Sequence, residues 1–359
     1  MGYTIPIGPY HPALEELIYV RLFVEGETIK DAEIRIGYNH RGIEKLATQR
    51  DFLQTLILVE RVCGICSNSH PLCLCMGLEA IAGIPVSKRA RYIRVIMSEL
   101  ERIHSHLLWA GIAAHLIGFE SLFMEIFQGR ENIMDILEMI SGNRVNYAMN
   151  IIGGVRRDLD PEQKLQVLKA LEILEEKLKP IINVFLEDKT IALRTRNVGI
   201  LTKEKAIDYA VVGPFARASG ICEDIRKTAP YSSYEDFDFQ VIVREECDVW
   251  ARAVVRLLEV KESIKILRQA LENLPDGPIN PGKLPQIPAG ETLSRLEAPR
   301  GENVHYIVTD GTDHLKRLQI RVPTYMNAPS IVEPLKGQTV ADSGLIIASM
   351  DPCFSCMDR

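Results

Sequence analysis

The sequence predicts a mainly α fold with α+β elements, in which a central helical bundle carries small β-hairpins in its N-terminal and C-terminal parts. Three observations point there. Apolar residues recur with helical spacing through the middle of the chain, and period-two alternation is confined to the regions near its ends. The composition of the 359 residues, 47% hydrophobic and 25% charged, is that of an ordinary globule long enough to bury a large core.

Residues 17–36 alternate apolar and polar side chains on either side of Glu25-Gly26, which predicts a two-stranded hairpin. From Ile43 to Val59 the period becomes helical. Ser87 is placed to cap a long helix over 88–119, with Ile93, Ile96, Leu100, Ile103 and Leu107 along one side. A further helix is expected over 120–140. Asp160-Pro161-Glu162-Gln163 supplies an N-cap, a first-turn proline and a capping-box partner for a helix running to Leu186. Residues 246–274 repeat the pattern through Val249, Trp250, Ala253, Leu257, Ile264 and Leu267. The run PDGPINPGKLPQIPAG then ends the bundle as an irregular connection, and residues 303–309 and 315–322 flank an Asp310-Gly311 turn as a second hairpin. The expectation is one integrated globule in three portions: residues 1–86, a bundle over 87–274, and an extended C-terminal portion over 275–359.

Charge and hydropathy narrow the function. With 42 basic and 48 acidic residues the net charge is −6, the wrong sign for neutralising phosphates, so no nucleic-acid role is expected. The longest weakly polar stretch, Leu107 to Phe119, carries His115 and falls short of the ~20 residues a spanning helix needs. The first residues lack the basic and apolar regions of an export signal. The chain is therefore expected in the cytoplasm, meeting a membrane through partners. Eight cysteines in that setting predict no disulfide framework.

Four of those cysteines form two CxxC units at opposite ends of the chain, Cys63 with Cys66 and Cys353 with Cys356. Four thiolates are a soft donor set suited to zinc, iron–sulfur clusters or soft nickel and iron centres. Spacing alone leaves the metal open, and a structural zinc staple is the base-rate alternative. Cys73 and Cys75 are expected in the core rather than as ligands, and Cys222 and Cys247 receive no role. Lys88-Arg89-Ala90-Arg91 reads as a solvated helix start, and Gly153-Gly154 is too little for a phosphate loop.

RVCGICSNSH at 61–70 and DPCFSCMDR at 351–359 resemble the two cysteine motifs of [NiFe]-hydrogenase large subunits. RGIE at 41–44, APRG at 298–301 and GPYHP at 8–12 extend the likeness along the chain. Arg359 in place of the more usual His points to the energy-converting, Ech-type membrane-bound group, related to the quinone-site subunit of respiratory complex I. The complex I subunit lacks the four cysteines. The resemblance implies the [NiFe]-hydrogenase large-subunit fold and a NiFe(CN)2(CO) centre, with Cys63, Cys66, Cys353 and Cys356 on nickel and Cys66 and Cys356 bridging to iron.

Further roles follow from the same likeness. Dihydrogen must be split heterolytically, so a base is needed at the metal; Cys353 is the first proton acceptor and Glu16 resembles the family's proton-relay carboxylate, with Glu15 beside it as the competitor. Arg300 resembles the guanidinium held over the open metal position, Pro299 and Asp351 belong to its surroundings, and His70 resembles the family's sulfur-facing histidine. Glu44 matches a carboxylate ligand of a structural Mg²⁺. A guanidinium cannot ligate Mg²⁺, so with Arg359 at the family's His position the alternative is that Glu44 pairs with Arg359 or Arg41. Ser105 stands where many members have Asp, which makes His104 and His106 packing residues. The implied partners are a small subunit with a proximal [4Fe–4S] cluster, a ferredoxin-type Fe–S subunit, integral membrane ion-translocating subunits, and ferredoxin as redox partner. Fe–S clusters are expected only in those partners. A formate-linked hydrogen-evolving complex is the alternative enzyme setting.

Overall fold

The computed structural model describes residues 2–10, 16–283 and 285–359; His11 and Pro12 of the GPYHP motif, and Glu15, lie outside the described residues. Strands Gly2–Ile7 (β1), Tyr19–Glu25 (β2) and Thr28–Arg35 (β3) form an antiparallel sheet in that order. Val20, Leu22 and Val24 bury one face of β2, and the expected hairpin turns at Gly26. β1 was not anticipated. It buries only Ile7, so it leaves no alternating signature.

The helix expected over 43–59 divides into Ile43–Ala47 (α1) and Phe52–Glu60 (α2), because the Asp51 carboxylate accepts the Gln54 N–H at 2.8 Å and caps a new start. Helix α3 spans Ser69–Ala82. The bundle consists of Lys88–Ile117 (α4), Glu120–Ser141 (α5), Pro161–Glu187 (α6) and Val249–Glu272 (α7), with a short ribbon of Asn150–Ile151 (β4) and Gly154–Val155 (β5) between α5 and α6. Ser87 caps α4 as expected, and both halves of the α6 capping box are made. α4 packs on α5 and α7, and α6 closes the set against the same two helices.

α4 is buried on nearly every side, its polar residues included: Arg94, Glu99, Glu101, Arg102, His104 and His106 are all inaccessible. Buried charge is tolerated where it is paired. Glu99 faces Arg226 at 3.1 Å, Arg226 faces Asp224 at 2.6 Å, and Arg217 joins Glu259 at 2.7 Å to Glu297 at 2.8 Å. The start of α4 is a surface segment, as expected for 88–91, with Lys88 53% exposed beside Asp236 at 3.1 Å and Arg89 beside Asp158 at 2.8 Å.

Strands Ala289–Ala298 (β6), Gly301–Asp310 (β7) and Leu315–Arg321 (β8) form a second antiparallel sheet. The expected hairpin is β7–β8. β6 is an addition, hidden because its first half is exposed, with Leu293 at 69%. Residues 323–349 form short helical turns rather than an extended segment, and Phe354–Asp358 (α8) closes the chain. α3 packs against β6, β7 and α2. The tip of the β6–β7 hairpin, the start of α3, the middle of α4 and residues 351–359 thereby face one another.

Candidate metal centre

Cys63 and Cys66 lie in the loop between α2 and α3; Cys353 and Cys356 lie at and inside the start of α8. All four are buried and unbridged. Cys353 Sγ stands 3.1 Å from Cys63 Sγ, and Cys66 Sγ 3.2 Å from Cys356 Sγ, with Cys63, Cys66 and Cys356 forming a cluster within 4.8 Å. These separations exceed a disulfide's ~2.05 Å and lie within the span of two thiolates on one ion at ~2.3 Å each. Each pair presents a backbone N–H to its first sulfur, Ile65 N to Cys63 at 3.2 Å and Cys356 N to Cys353 at 3.4 Å. The Cys353 S–H donates to Cys63, and together with the other two thiols and the positive Arg300 it holds Cys63 well below the ordinary thiol range.

The two loops are clamped by Arg41 of the RGIE motif. Its Nη2 donates to Val62 O at 2.8 Å and to Ser355 O at 2.7 Å, and its Nη1 to Arg61 O at 3.0 Å. Glu16 also reaches the C-terminal pair: Oε2 accepts the Ser355 N–H at 2.8 Å and Oε1 accepts the Ser355 hydroxyl. Asp358 Oδ2 takes the N–H groups of Gly37 and Asn39 at 2.9 and 3.0 Å. Glu44 is placed away from the sulfurs. Its Oε1 accepts from Arg359 Nε at 2.7 Å and from Ile320 N at 2.8 Å.

Arg300 occupies, with buried Pro299, the two-residue turn between Ala298 of β6 and Gly301 of β7. The turn is backed at close quarters by Gly213, where a Cβ would stand 2.2 Å from Arg300 O. The guanidinium is buried and fixed by Asp351, through Nη2 to Oδ1 at 2.7 Å and Nε to the backbone O at 2.9 Å, with Nη1 3.4 Å from Ser105 Oγ. Asp351 is held in the left-handed region at φ 60. Its carboxylate and the cysteine sulfurs keep Arg300 charged against the cost of burial.

His70, on the first turn of α3, places Nε2 3.5 Å from Cys356 Sγ and Nδ1 3.3 Å from His305 Nε2, with the two rings stacked at 5.5 Å. Burial holds His70 down to about 4, so the pair is neutral. Assigning Nε2–H of His70 to the sulfur makes His305 the donor to His70. His104 and His106 are buried and hydrogen-bonded, to Ile65 O at 3.2 Å and Glu259 at 2.9 Å. Cys73 and Cys75 are core residues of α3, with the Cys73 thiol pushed up to about 12 by burial. Cys222 is exposed and Cys247 partly so, neither belonging to the cluster.

Four contributors carried no sequence signal. Thr324 Oγ accepts Cys353 N at 3.0 Å. His305 backs His70. Asn303 on β7 is buried with neither amide atom partnered, and Glu101 of α4 accepts Asn68 N at 2.5 Å and the Ser69 hydroxyl beneath the first cysteine loop. The last two sit in helical or strand patterns that do not distinguish a facing site from a facing core.

A small cavity adjoins the sulfurs, lined by Cys66, Cys353 and Cys356, by His70, Arg300, Asn303 and Thr324, and by apolar Ala298, Val322 and Pro323. The soft donors, the charged Arg300 and the orphaned Asn303 amide beside them fit a group that adds ligands of its own to the thiolates.

Residues 117–287 and 282–359 match the family described as the 49-kDa subunit of respiratory-chain NADH dehydrogenase, and residues 41–111 match nickel-dependent hydrogenase. The chain is 46% identical over 358 residues to the carbon monoxide-induced hydrogenase of Rhodospirillum rubrum, covering 99% of each. It is 42% identical to the membrane-bound hydrogenase subunit alpha of Pyrococcus furiosus, over 99% of this chain and 87% of that one. It is also 39% identical over 368 residues to one of the NADH-quinone oxidoreductase subunits of Dehalococcoides mccartyi, covering 100% of this chain and 98% of the relative.

Proposed function

Because the chain belongs to the family that joins nickel-dependent hydrogenase large subunits with the 49-kDa subunit of respiratory NADH dehydrogenase, we propose that it is the catalytic subunit of an energy-converting [NiFe] hydrogenase, interconverting H₂ with two protons and two electrons. The observation that carries the reading is the convergence of four buried thiols from opposite ends of the chain, three of them lining a cavity that a fixed guanidinium also lines. Both parts of the family are represented among the relatives, and this donor set favours the hydrogenase side.

Cys63, Cys66, Cys353 and Cys356 would hold a nickel–iron centre. When bound, that centre supplies heterolytic activation of dihydrogen. Cys353 Sγ, on the side of the cluster that Glu16 approaches through Ser355, takes the first proton, and the Glu16 carboxylate takes it onward. Arg300, held by Asp351, keeps a positive charge over the cavity where negative charge develops. His70 donates to Cys356 and orients that sulfur. The apolar wall of Ala298, Val322 and Pro323 excludes water.

Electrons leave through partner subunits: a small subunit with a proximal [4Fe–4S] cluster, then a ferredoxin-type subunit that exchanges with ferredoxin. No helix among the described residues is long and apolar enough to cross a membrane. In this reading ion translocation belongs to membrane subunits, with this chain on the cytoplasmic face. Names among the relatives, membrane-bound hydrogenase and formate hydrogenlyase, support a multi-subunit setting. An infrared spectrum of the purified complex, with nickel and iron quantified on the same sample, tests the reading. Bands of metal-bound cyanide and carbon monoxide are expected; zinc with no such bands would overturn it.

A further inference from the structure

Among the described residues, buried side-chain polar atoms without a partner occur singly, as at Tyr147 Oη and Ser233 Oγ, whereas Asn303 leaves two. It lies on β7 two residues past Gly301, is 1% exposed, and neither its Nδ2 nor its Oδ1 has a hydrogen-bond partner. Its backbone carbonyl lies 3.8 Å from the Cys73 thiol, while the side chain lines the cavity beside the sulfurs. Buried amides without partners are rare in folded proteins, and one aimed into a cavity points to something that occupies it.

The neighbours say what that is. Arg300 has already committed Nε and Nη2 to Asp351, leaving Nη1 with a long contact to Ser105. The Thr324 oxygen accepts Cys353 N, which leaves its hydroxyl hydrogen free to donate. The remaining lining is His70, whose ring nitrogens face Cys356 and His305, and apolar Ala298, Val322 and Pro323. The cavity thus offers donors at a few points and an apolar wall elsewhere. That pattern suits small ligands with an anionic, acceptor-only outer atom together with one that accepts no hydrogen bond. Because the two ends of an amide are exchangeable about its last torsion, Nδ2 can be the end that faces the cavity.

Resting on the hydrogenase reading above, we propose that the Asn303 amide donates a hydrogen bond to a cyanide ligand of the iron. Asn303 is then a positioning residue for the centre, alongside Arg300 and Thr324. A hydrogen bond at the cyanide nitrogen withdraws electron density from the iron, so its loss returns density and lowers the stretching frequencies of the bound diatomics.

The test is infrared spectroscopy of the purified complex carrying Asn303→Leu, with nickel and iron quantified on the same preparation. With metal content equal to wild type, the cyanide bands are expected at lower frequency, and the carbon monoxide band shifts the same way. Bands at wild-type positions would mean that the amide serves a trapped water or nothing, and would overturn the proposal. Asn303→Met provides a second route, since it fills the site with no group able to donate; its cyanide bands must also fall. If neither variant retains the centre, the metal-free chain decides. An unchanged melting temperature there assigns Asn303 to holding the group, and a lowered one makes it a packing residue and refutes the assignment. A wild-type complex with nickel and iron absent and no diatomic bands would remove the hydrogenase reading itself, whereas normal wild-type bands that Asn303→Leu leaves unmoved would remove this inference alone.

Discussion

Each cysteine pair turns a backbone N–H toward its first sulfur, yet what stands behind the two pairs differs. Behind Cys63 and Cys66 lie groups that burial keeps neutral: Glu101 with its carboxyl raised to about 8, and His104 lowered to about 3. Around Cys353 and Cys356 lie charges and hydrogen bonds from far along the chain. Arg300 pairs with Asp351, Glu16 holds Ser355, Arg41 spans both loops, and Arg359 meets Glu44. The first pair rests on a wall, and the second is a latch closed by ionic contacts. Charge leaving the sulfurs therefore finds polar exits on the C-terminal side.

The contrast is broken most severely at Glu16. Gln in its place still accepts from Ser355, so the latch geometry is retained while the exchangeable carboxyl proton is lost. Loss of a positioned acid–base group costs about 10²–10⁴-fold in rate. Glu16→Gln is expected to reduce H₂ turnover by that order with nickel and iron content unchanged; normal turnover would place the proton exit on the Cys63 side instead.

How much of this was legible in the sequence follows the same division. The cysteine pairs, APRG and the capped helices are local patterns, and they lie where their residues placed them. α4 was legible as a long helix with an apolar side, but the partners of its polar residues were not. Arg94, Glu99 and Arg102 are buried with partners that arrive from Glu79, Arg226 and the carbonyls of Glu297 and Ala298. Helical periodicity cannot report such distant partners. β1 and β6 were missed because exposed positions broke their alternation, and Asn303 because a strand position says nothing about a cavity across from it. Arg41 stood in a recognised motif, but its grip on Val62 and Ser355 depends on the two ends of the chain meeting.

The wall makes a prediction about pH. Desolvation raises the Glu101 carboxyl from 4.5 to about 8, so between those values the native chain holds a proton that the unfolded chain has lost. Stability from this group is present in full below pH ~4.5 and is lost as pH rises through about 8, by on the order of 4–5 kcal/mol at most. Urea unfolding of wild type and Glu101→Gln at pH 5.5 and pH 8 separates this group from the others. The variant is expected to lose less stability over that interval, and parallel losses would mean that Glu101 is ionised in the native chain.

The latch makes the smaller prediction. Arg359 and Glu44 are close, but the pair is partly exposed, at 15% and 33%, and a pair in that setting contributes little once solvent screening is counted. Glu44 keeps the Ile320 N–H when the guanidinium goes, and Asp358 keeps Gly37 and Asn39, so the C-terminal turn retains its other ties. Arg359→Ala is therefore expected to cost less than ~1 kcal/mol in thermal unfolding. A cost several times larger would mean that the ionic contacts act as one cooperative clasp. Titrating Mg²⁺ into that variant sharpens the point: Arg359 supplies the positive charge that a divalent ion would bring to Glu44, so a rise in melting temperature with Mg²⁺, absent from wild type, is the expected signature of the guanidinium standing in for the ion.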